Sequence, residues 1–326
     1  MAWNDELLNR LSTQIPCGYH PQGPASSEPT ALAAIALSAA NRSAASALRW
    51  LADCQSPDGS VSTIPPSDPK PNEDRSKTLH SPSAASAFPG SPPANPSQPN
   101  PAWPTGWAVL ATVAIARTSA SPATPTDLFD TSRAVNWILQ TAGDSAESDE
   151  LLRKSAVVGW PWVNGTYSWV EPTAIHVVAL KAAGFAAHPR TREALAMLID
   201  RLLPAGGCNY GNTIVLGQEL RPHVQPTGLA MLALAGQPDA DGRIKRSLDF
   251  LASSLSAETT SASLSYGLIG LAAHDRFPAG AASWLEAAYR RTMRRDGAAF
   301  KLALLSLASL GTNCPLVALS ASRKSA

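Results

Sequence analysis

Two patterns of apolar positions alternate along the chain. Residues 174–187 and 228–235 are apolar at nearly every position, whereas within residues 43–54 the side chains of Leu48 and Leu51 fall on one helical face. A helix that is apolar all round is buried in a core, and a helix with one apolar face lies at the surface. The alternation therefore predicts helical hairpins, each built from one inner and one outer helix.

A short phrase recurs where the inner segments begin. It reads Pro29-Thr30, Pro104-Thr105, Pro172-Thr173 and Pro226-Thr227. Proline is tolerated in the first turn of a helix because its missing N–H would have no partner there, and its φ angle is already helical. We therefore expect four inner-helix N-termini of one kind. The amphipathic segments that follow them occupy residues 43–54, 127–141, 190–203 and 243–255.

The pattern continues towards the C-terminus in residues 262–274, 280–291 and 298–310, which gives about eleven helices. Pro172 and Pro226 lie 54 residues apart, whereas common helical solenoids repeat every ~34 to 47 residues. The turns are long and carry glycine, asparagine and aromatic residues, as in residues 206–211. We predict an all-α fold in which about five to six helical hairpins close into an α/α toroid, with residues 1–326 as one domain.

One segment breaks the repeat. Residues 56–101 are crowded with proline, serine and asparagine and show no apolar periodicity. Such a composition cannot bury enough apolar surface to offset the entropy of ordering the chain. These residues are predicted to be a disordered insertion within the domain.

Composition narrows the setting of the protein. The chain has 326 residues, of which 44% are apolar and 16% charged, so a large interior is expected. The net charge of +1 gives no overall field to attract nucleic acid. No apolar run reaches the ~18 residues of a spanning helix, so no integral membrane segment is expected. Asp5 and Glu6 occupy the region where a secretory signal is basic, which favours a cytoplasmic protein.

The four cysteines are scattered along the chain. Cys17, Cys54, Cys208 and Cys314 show no close pairing and no metal-ligand spacing. This spacing fits free thiols in a reducing compartment better than a disulfide framework or a zinc cluster.

Four phrases resemble the repeat of squalene-hopene cyclases and protein prenyltransferase β subunits. They are residues 54–60, 159–162, 167–174 and 207–211, which read CQSPDGS, GWPW, YSWVEPTA and GCNYG. In that family the Gln and the Asp-Gly belong to a turn that joins an outer helix to the next inner one. The resemblance covers nearly the whole chain apart from the insertion. It implies an α/α toroid whose inner-helix N-termini point towards a central apolar cavity, in which relatives fold or transfer isoprenoids.

The chain departs from the family at its catalytic motifs. Class II cyclases protonate an alkene with an Asp-x-Asp-Asp motif just before a Thr-Ala. Aligned on Thr173-Ala174, this chain has Trp169-Val170-Glu171-Pro172, so Glu171 takes the central acid position without flanking aspartates. The zinc-binding Asp, Cys and His of the prenyltransferases have no counterpart that we can place. We therefore expect neither a metal nor a cofactor.

The candidate site residues cluster around Glu171. Glu171 and His176, which follows one turn after Thr173, are the candidate catalytic residues. Aromatic faces stabilise a cation by ~1 to 2 kcal/mol each when desolvated. The candidate cavity-lining or substrate-binding residues are Trp160, Trp162, Tyr167, Trp169, Tyr210 and His223.

Each candidate also has a structural interpretation. Glu171 is a polar residue favoured by the dipole at a helix N-terminus, as are Glu28 and Gln225 at the equivalent positions. The aromatic residues of the turns are wedges between hairpins, and His176 is a satisfied core histidine.

Three functions remain as hypotheses. The first is a cyclase-like enzyme that acts on an isoprenoid-like apolar molecule, with Glu171 as acid. Desolvation weakens an acid by raising its pKa, so an epoxide or an allylic alcohol is a better substrate than an isolated alkene. The second is a non-catalytic toroid that binds an apolar ligand or a protein partner, and peripheral membrane contact stays open. The third is a carbohydrate-active α/α barrel, which needs two carboxylates about 5 to 9.5 Å apart.

Overall fold

The computed structural model describes residues 2–65, 103–118, 128–144 and 157–321. In these ranges the chain forms thirteen α-helices and one short β-hairpin, which confirms the predicted all-α class. The helices are α1 (Ala2–Gln14), α2 (Ser27–Ala39), α3 (Ala45–Asp53), α4 (Pro104–Thr118), α5 (Thr131–Gln140), α6 (Val170–Ala182), α7 (Pro189–Asp200), α8 (Val224–Ala233), α9 (Arg243–Ser254), α10 (Ser261–Ala272), α11 (Ala281–Arg295), α12 (Ala299–Ser309) and α13 (Pro315–Ser320). The hairpin pairs β1 (Ile214–Val215) with β2 (Gln218–Glu219).

The helices with even numbers from α2 to α12 contact one another in a closed cycle. Each packs against the next one, and α12 packs against α2. The helices with odd numbers from α1 to α11 lie outside this cycle, each against one or two of its members. Within the described residues, the fold is therefore six inner helices with six outer ones, and we use inner and outer in this sense.

Contacts between helix ends show that neighbouring inner helices run in the same direction. Lys181, at the end of α6, donates from Nζ to the carbonyl oxygens of Ala233 (2.8 Å) and Ala235 (3.1 Å), at the end of α8. His274 Nε2 lies 2.9 Å from the carbonyl oxygen of Met231, so the end of α10 also meets the end of α8. The N-termini of these helices consequently share the opposite end of the cycle, which we call the rim.

The middle of the cycle is tightly packed. Every residue of α6 from Val170 to Ala182 is buried, and residues 226–235 of α8 and its end are buried as well. Small residues allow this close approach: a Cβ atom at Gly228 would collide with the carbonyl oxygen of Tyr266 on α10. The interior is therefore dense like the core of an ordinary globular protein.

The C-terminal helix α13 covers the end opposite the rim. The chain reaches it from the end of α12 through a 3-10 turn at Gly311–Asn313. It contacts α4, α6, α8 and α10, and its Leu316 and Leu319 are buried. The rim is consequently the end of the inner helices that α13 leaves uncovered.

The threonine of the Pro-Thr phrase has the same role in four repeats. Its Oγ1 accepts a hydrogen bond from a backbone N–H of the preceding turn. The pairs are Thr30 with Cys17 (3.1 Å), Thr105 with Val61 (2.9 Å), Thr173 with Trp160 (2.9 Å) and Thr227 with Cys208 (2.9 Å). The predicted set of four equivalent N-termini is confirmed, and the bond explains why threonine recurs in it.

The turn that leaves an outer helix packs on the next outer helix. After α3, the Gln55 side chain donates to the carbonyl oxygen of Asp130 and accepts from its N–H, both at 2.9 Å. Gly59 has a φ of 97° and lies against the backbone of Arg133 on α5, where a Cβ atom would collide. Residues 56–64 thus form a structured turn at the start of the predicted insertion. The rest of that insertion, from residue 66 to 101, lies outside the described residues.

Two helices were absent from the sequence prediction. The first, α1, buries Trp3, Leu7 and Leu11 and contacts α2 and α12, which places an outer helix beside the closure of the cycle. The second is α13. Neither carries a Pro-Thr phrase. Across the described ranges, no helix is both long and apolar enough to cross a membrane.

Candidate functional site

Four residues stand immediately before the prolines of the inner helices. They are Glu28 on α2, Trp103 before α4, Glu171 on α6 and Gln225 on α8. Because these helices are equivalent members of the cycle, the four positions belong to the rim. Two of them are carboxyl groups, so the rim carries a second acid beside the predicted Glu171.

Two tyrosine hydroxyl groups donate to the carboxyl group of Glu28. Tyr19 donates to Oε2, and Tyr266 of α10 donates to Oε1 at 3.1 Å. Tyr266 is buried, whereas Tyr19 is partly exposed and packs edge-on against Phe300 of α12 at 4.9 Å. Burial raises the pKa of Glu28 to about 7, although both hydroxyl groups act to lower it.

Glu171 is buried with an unsatisfied oxygen. Its exposed fraction is 5%, and Oε1 has no hydrogen-bond partner within the part of the chain that the structure describes. Burial raises the pKa of Glu171 to about 7; the amide of Gln225 lowers it, and the charge of Glu28 raises it. The Glu171 carboxyl group therefore senses the charge of Glu28.

The carboxyl pair lies in an acidic environment. No lysine, arginine or histidine forms an ion pair with Glu28 or Glu171 among the described residues. Burial, followed by the charges of Glu28 and Glu171, raises the pKa of the Tyr266 hydroxyl well above its ordinary value. Like charges close together oppose full ionisation. The pair is thus suited to holding a proton near neutral pH.

Aromatic side chains border Glu171 at the rim. Trp169 and Tyr210 are each 37% exposed. The Trp169 ring lies over Gly211, and the Val170 N–H donates to the carbonyl oxygen of Tyr210 at 2.8 Å, which joins this loop to the start of α6. Burial and then the charge of Glu171 raise the pKa of Tyr210. These two predicted lining residues do lie near the acid.

His176 lies away from the rim, within the packing between inner helices. It is fully buried, its Nδ1 lies 2.8 Å from the carbonyl oxygen of Pro172, and its ring stacks on Trp160 at 5.1 Å. Gly106 of α4 lies against the same ring. The structure therefore favours the core-histidine interpretation over a catalytic base beside Glu171.

Trp160 is a packing residue between hairpins. It is fully buried, its Nε1 donates to the carbonyl oxygen of Ile138 at 3.0 Å, and the Arg190 guanidinium lies 3.9 Å from its ring centroid. Since His176 and Arg190 both contact the ring, its faces are not available to a substrate.

The remaining predicted aromatic residues lie near the surface. Trp162 packs edge-on against Trp103 at 5.3 Å. Tyr167 is 57% exposed and bridges to Asp144 through the backbone. His223 precedes α8, is exposed, and packs against the Tyr210 ring at 5.1 Å. Of these three, His223 contacts a residue that borders Glu171.

Sequence reasoning missed Glu28, Tyr19 and Tyr266 as site residues. The signal for Glu28 was present, because it occupies the position of Glu171 within its own repeat. Tyr266 had no such signal: it is 238 residues from Glu28 in the chain and comes from α10, which lacks the Pro-Thr phrase.

No protein-family model matches this chain, and no curated protein matches it significantly. Within the described residues, no group of three or more His, Cys, Asp or Glu side chains is arranged to hold a metal ion. The fold and the site therefore define a class by structure alone: an all-α protein with a cycle of inner helices and two carboxyl groups at its rim.

Proposed function

We propose that this protein is a terpenoid-cyclase-like enzyme that transfers a proton to an isoprenoid-like apolar molecule at the rim. Glu171 is the acid, and Glu28, held by Tyr19 and Tyr266, is its partner. One observation carries the proposal: the buried carboxyl group of Glu171 and the partly buried one of Glu28, which come from different inner helices, lie at one rim beside aromatic side chains, with no ion-pair partner among the described residues.

The pair suits an allylic alcohol or an epoxide as the reacting group. With a pKa of about 7, the Glu171 carboxyl group retains a proton at neutral pH that it can give to a substrate oxygen. For an allylic alcohol, the carbon–oxygen bond then breaks, water leaves, and an allylic cation remains. The Glu171 carboxylate takes a proton from the cation to form the alkene product, which restores the acid.

The aromatic faces favour the cationic stage of this reaction. Trp169 and Tyr210 border Glu171, and each desolvated ring contributes ~1 to 2 kcal/mol to stabilising a cation. Because the inner helices are closely packed, we place the reacting group at the rim and not deep in a central cavity. Four free, buried cysteines support a cytoplasmic setting for the enzyme.

The test is product analysis with a panel of isoprenoid allylic alcohols and epoxides. We expect turnover by the parent protein and a loss of ~10² to 10⁴-fold in Glu171→Gln, because general acid catalysis contributes about that much. Glu286→Gln, on the outer helix α11, is the matched control and keeps full activity. Equal turnover by parent and Glu171→Gln contradicts the proposal.

Glu28 also favours a second candidate, the carbohydrate-active enzyme. The sequence indicates few other carboxyl groups near Glu171. The structure adds that of Glu28, which lies at the same rim. Glycoside hydrolysis uses two such groups. Oligosaccharides in the same assay decide between the two: reducing ends released by the parent and not by Glu171→Gln favour this candidate. With no turnover on either panel, the non-catalytic binding hypothesis gains support, and native mass spectrometry shows whether an apolar ligand or a protein partner co-purifies.

A further inference from the structure

The carboxyl groups at the rim lack a full set of hydrogen-bond donors and a positively charged partner among the described residues. Glu171 Oε1 is buried and has no hydrogen-bond partner among the described residues, although a buried carboxylate oxygen ordinarily accepts a hydrogen bond. Its neighbour Glu28 already accepts from Tyr19 and Tyr266, whose hydroxyl groups are neutral donors and leave the charge uncompensated. No ion pair to either glutamate is formed by the described residues. A ligand that satisfies this site supplies both an N–H or O–H donor and a positive charge.

We propose that the rim binds a primary ammonium group carried on an apolar chain. The ammonium group has three donors and a compact charge, so it can donate to Glu171 Oε1 while it compensates the charge of both carboxylates. The inference concerns the carboxyl pair of the proposed function and rests on it for the apolar chain. It specifies the head group that this site recognises.

The surrounding side chains suit a cation of this kind. Tyr19, Trp169 and Tyr210 are each between 36% and 37% exposed, so part of each ring is open to a ligand. A cation over such a face gains ~0.5 to 2 kcal/mol, depending on how well water is excluded. An uncharged alcohol of the same chain length can donate to Glu171 but gains nothing from the charges. Charge is therefore the feature that separates the ligand from a neutral analogue.

The binding depends on pH through the carboxyl pair. Within the described ranges, the other titratable groups that sense Glu171 are tyrosines and one cysteine whose pKa values are raised, so they stay neutral between pH 6 and 8. These groups are Tyr19, Tyr210, Tyr266 and Cys208. Glu28 and Glu171 titrate inside that interval. Since the ammonium group binds the ionised form, its affinity rises by about tenfold from pH 6 to pH 8.

Calorimetric titration of the full chain tests this inference, with n-octylammonium chloride as the probe and n-octanol as the neutral analogue. At pH 8 we expect the ammonium to bind at least about tenfold more tightly than the alcohol. Glu171→Gln and, separately, Glu28→Gln reduce this preference, while Glu286→Gln keeps it. Circular dichroism confirms that each variant is folded, and two separate substitutions guard against one that does not fold.

Equal affinity for the ammonium and the alcohol overturns the inference, and so does a preference that survives both substitutions. Octyltrimethylammonium separates charge from donors: if it binds as tightly as octylammonium, the donor role assigned to Oε1 is wrong. The outcome is independent of turnover. Ammonium binding without turnover leaves the inference standing and the proposed enzyme refuted, whereas turnover without ammonium preference does the reverse.

Discussion

Glu28, Trp103, Glu171 and Gln225 stand directly before the prolines of four inner helices, yet only the two glutamates are acids. A helix N-terminus favours a negative side chain by ~0.3 to 1 kcal/mol at an exposed site. That preference explains one glutamate in isolation. It does not explain why two lie at one rim, where burial raises the pKa of each and the charge of Glu28 adds to the rise at Glu171. A cost of this kind is a common mark of a functional site.

The cost of burying Glu171 leads to a prediction about how the free energy of unfolding changes with pH. The folded protein holds the Glu171 proton up to a pKa of about 7, against an ordinary value of 4.5. Between these values the folded state binds more protons than the unfolded state, so stability falls as the pH rises. In Glu171→Gln this loss is absent. We expect the variant to be more stable than the parent by ~1 to 3 kcal/mol at pH 8, with the difference vanishing near pH 4.

Urea unfolding at pH 4, 6 and 8 measures the difference. Glu286→Gln, whose exposed side chain pairs with Arg290 on the surface of α11, is the control and changes stability by only a few tenths of a kcal/mol. A Glu171→Gln protein that is less stable than the parent at pH 8 contradicts the assigned burial cost.

At the scale of elements, the apolar pattern and the Pro-Thr phrase predict most helices. The segment predicted at residues 243–255 is observed as α9 (Arg243–Ser254), and α4 and α8 begin within two residues of their phrase. These predictions succeed because local rules govern helix starts and buried faces. The helix α1 has an apolar stripe of its own, but it lies outside the repeat that predicts the other helices. The position of α13 depends on the whole cycle, and no local pattern encodes it.

Close approach of α8 and α10 is the strictest requirement at this scale. Gly228 lies against the Tyr266 carbonyl oxygen, and Gly270 lies against the backbone of Gly228. We expect Gly228→Ala to destabilise the protein by ~1 to 3 kcal/mol, because an added methyl group in a packed interior forces the helices apart. It should also displace Tyr266 and thereby weaken its bond to Glu28.

Thermal unfolding measures the loss, and Gly23→Ala serves as the control. Gly23 has an ordinary φ, and a Cβ atom there would meet its nearest neighbour at 3.5 Å, which is a normal contact. The control should be neutral to slightly stabilising, since alanine restricts the unfolded chain. Equal effects at the two positions would contradict the close packing of α8 and α10.

At the scale of the molecule, the contacts at the rim form because the inner helices close into a cycle. Tyr266 reaches Glu28 because α12 brings α10 close to α2, although the two residues lie 238 positions apart in the chain. The sequence identified Glu171 from its place in one repeat. It could not identify the Tyr266 contact, which requires the order and number of helices in the complete cycle. The same limit applies to His176, whose neighbours Trp160 and Gly106 come from other elements.

Because the inner helices form one cycle, the geometry of the rim also depends on how α13 packs at their opposite end. Leu316 of α13 is fully buried where α13 meets α4, α6, α8 and α10. We expect Leu316→Ala to destabilise the protein by ~2 to 5 kcal/mol, the range for a leucine removed from a packed core. Hydrogen exchange should accelerate first in the last turns of those four helices.

Leu216→Ala is the matched control: this leucine is 76% exposed, and its removal should change stability by less than ~0.5 kcal/mol. If exchange instead increases evenly over the whole chain at unchanged stability, α13 does not hold the inner helices together, and the rim owes its geometry to the cycle alone.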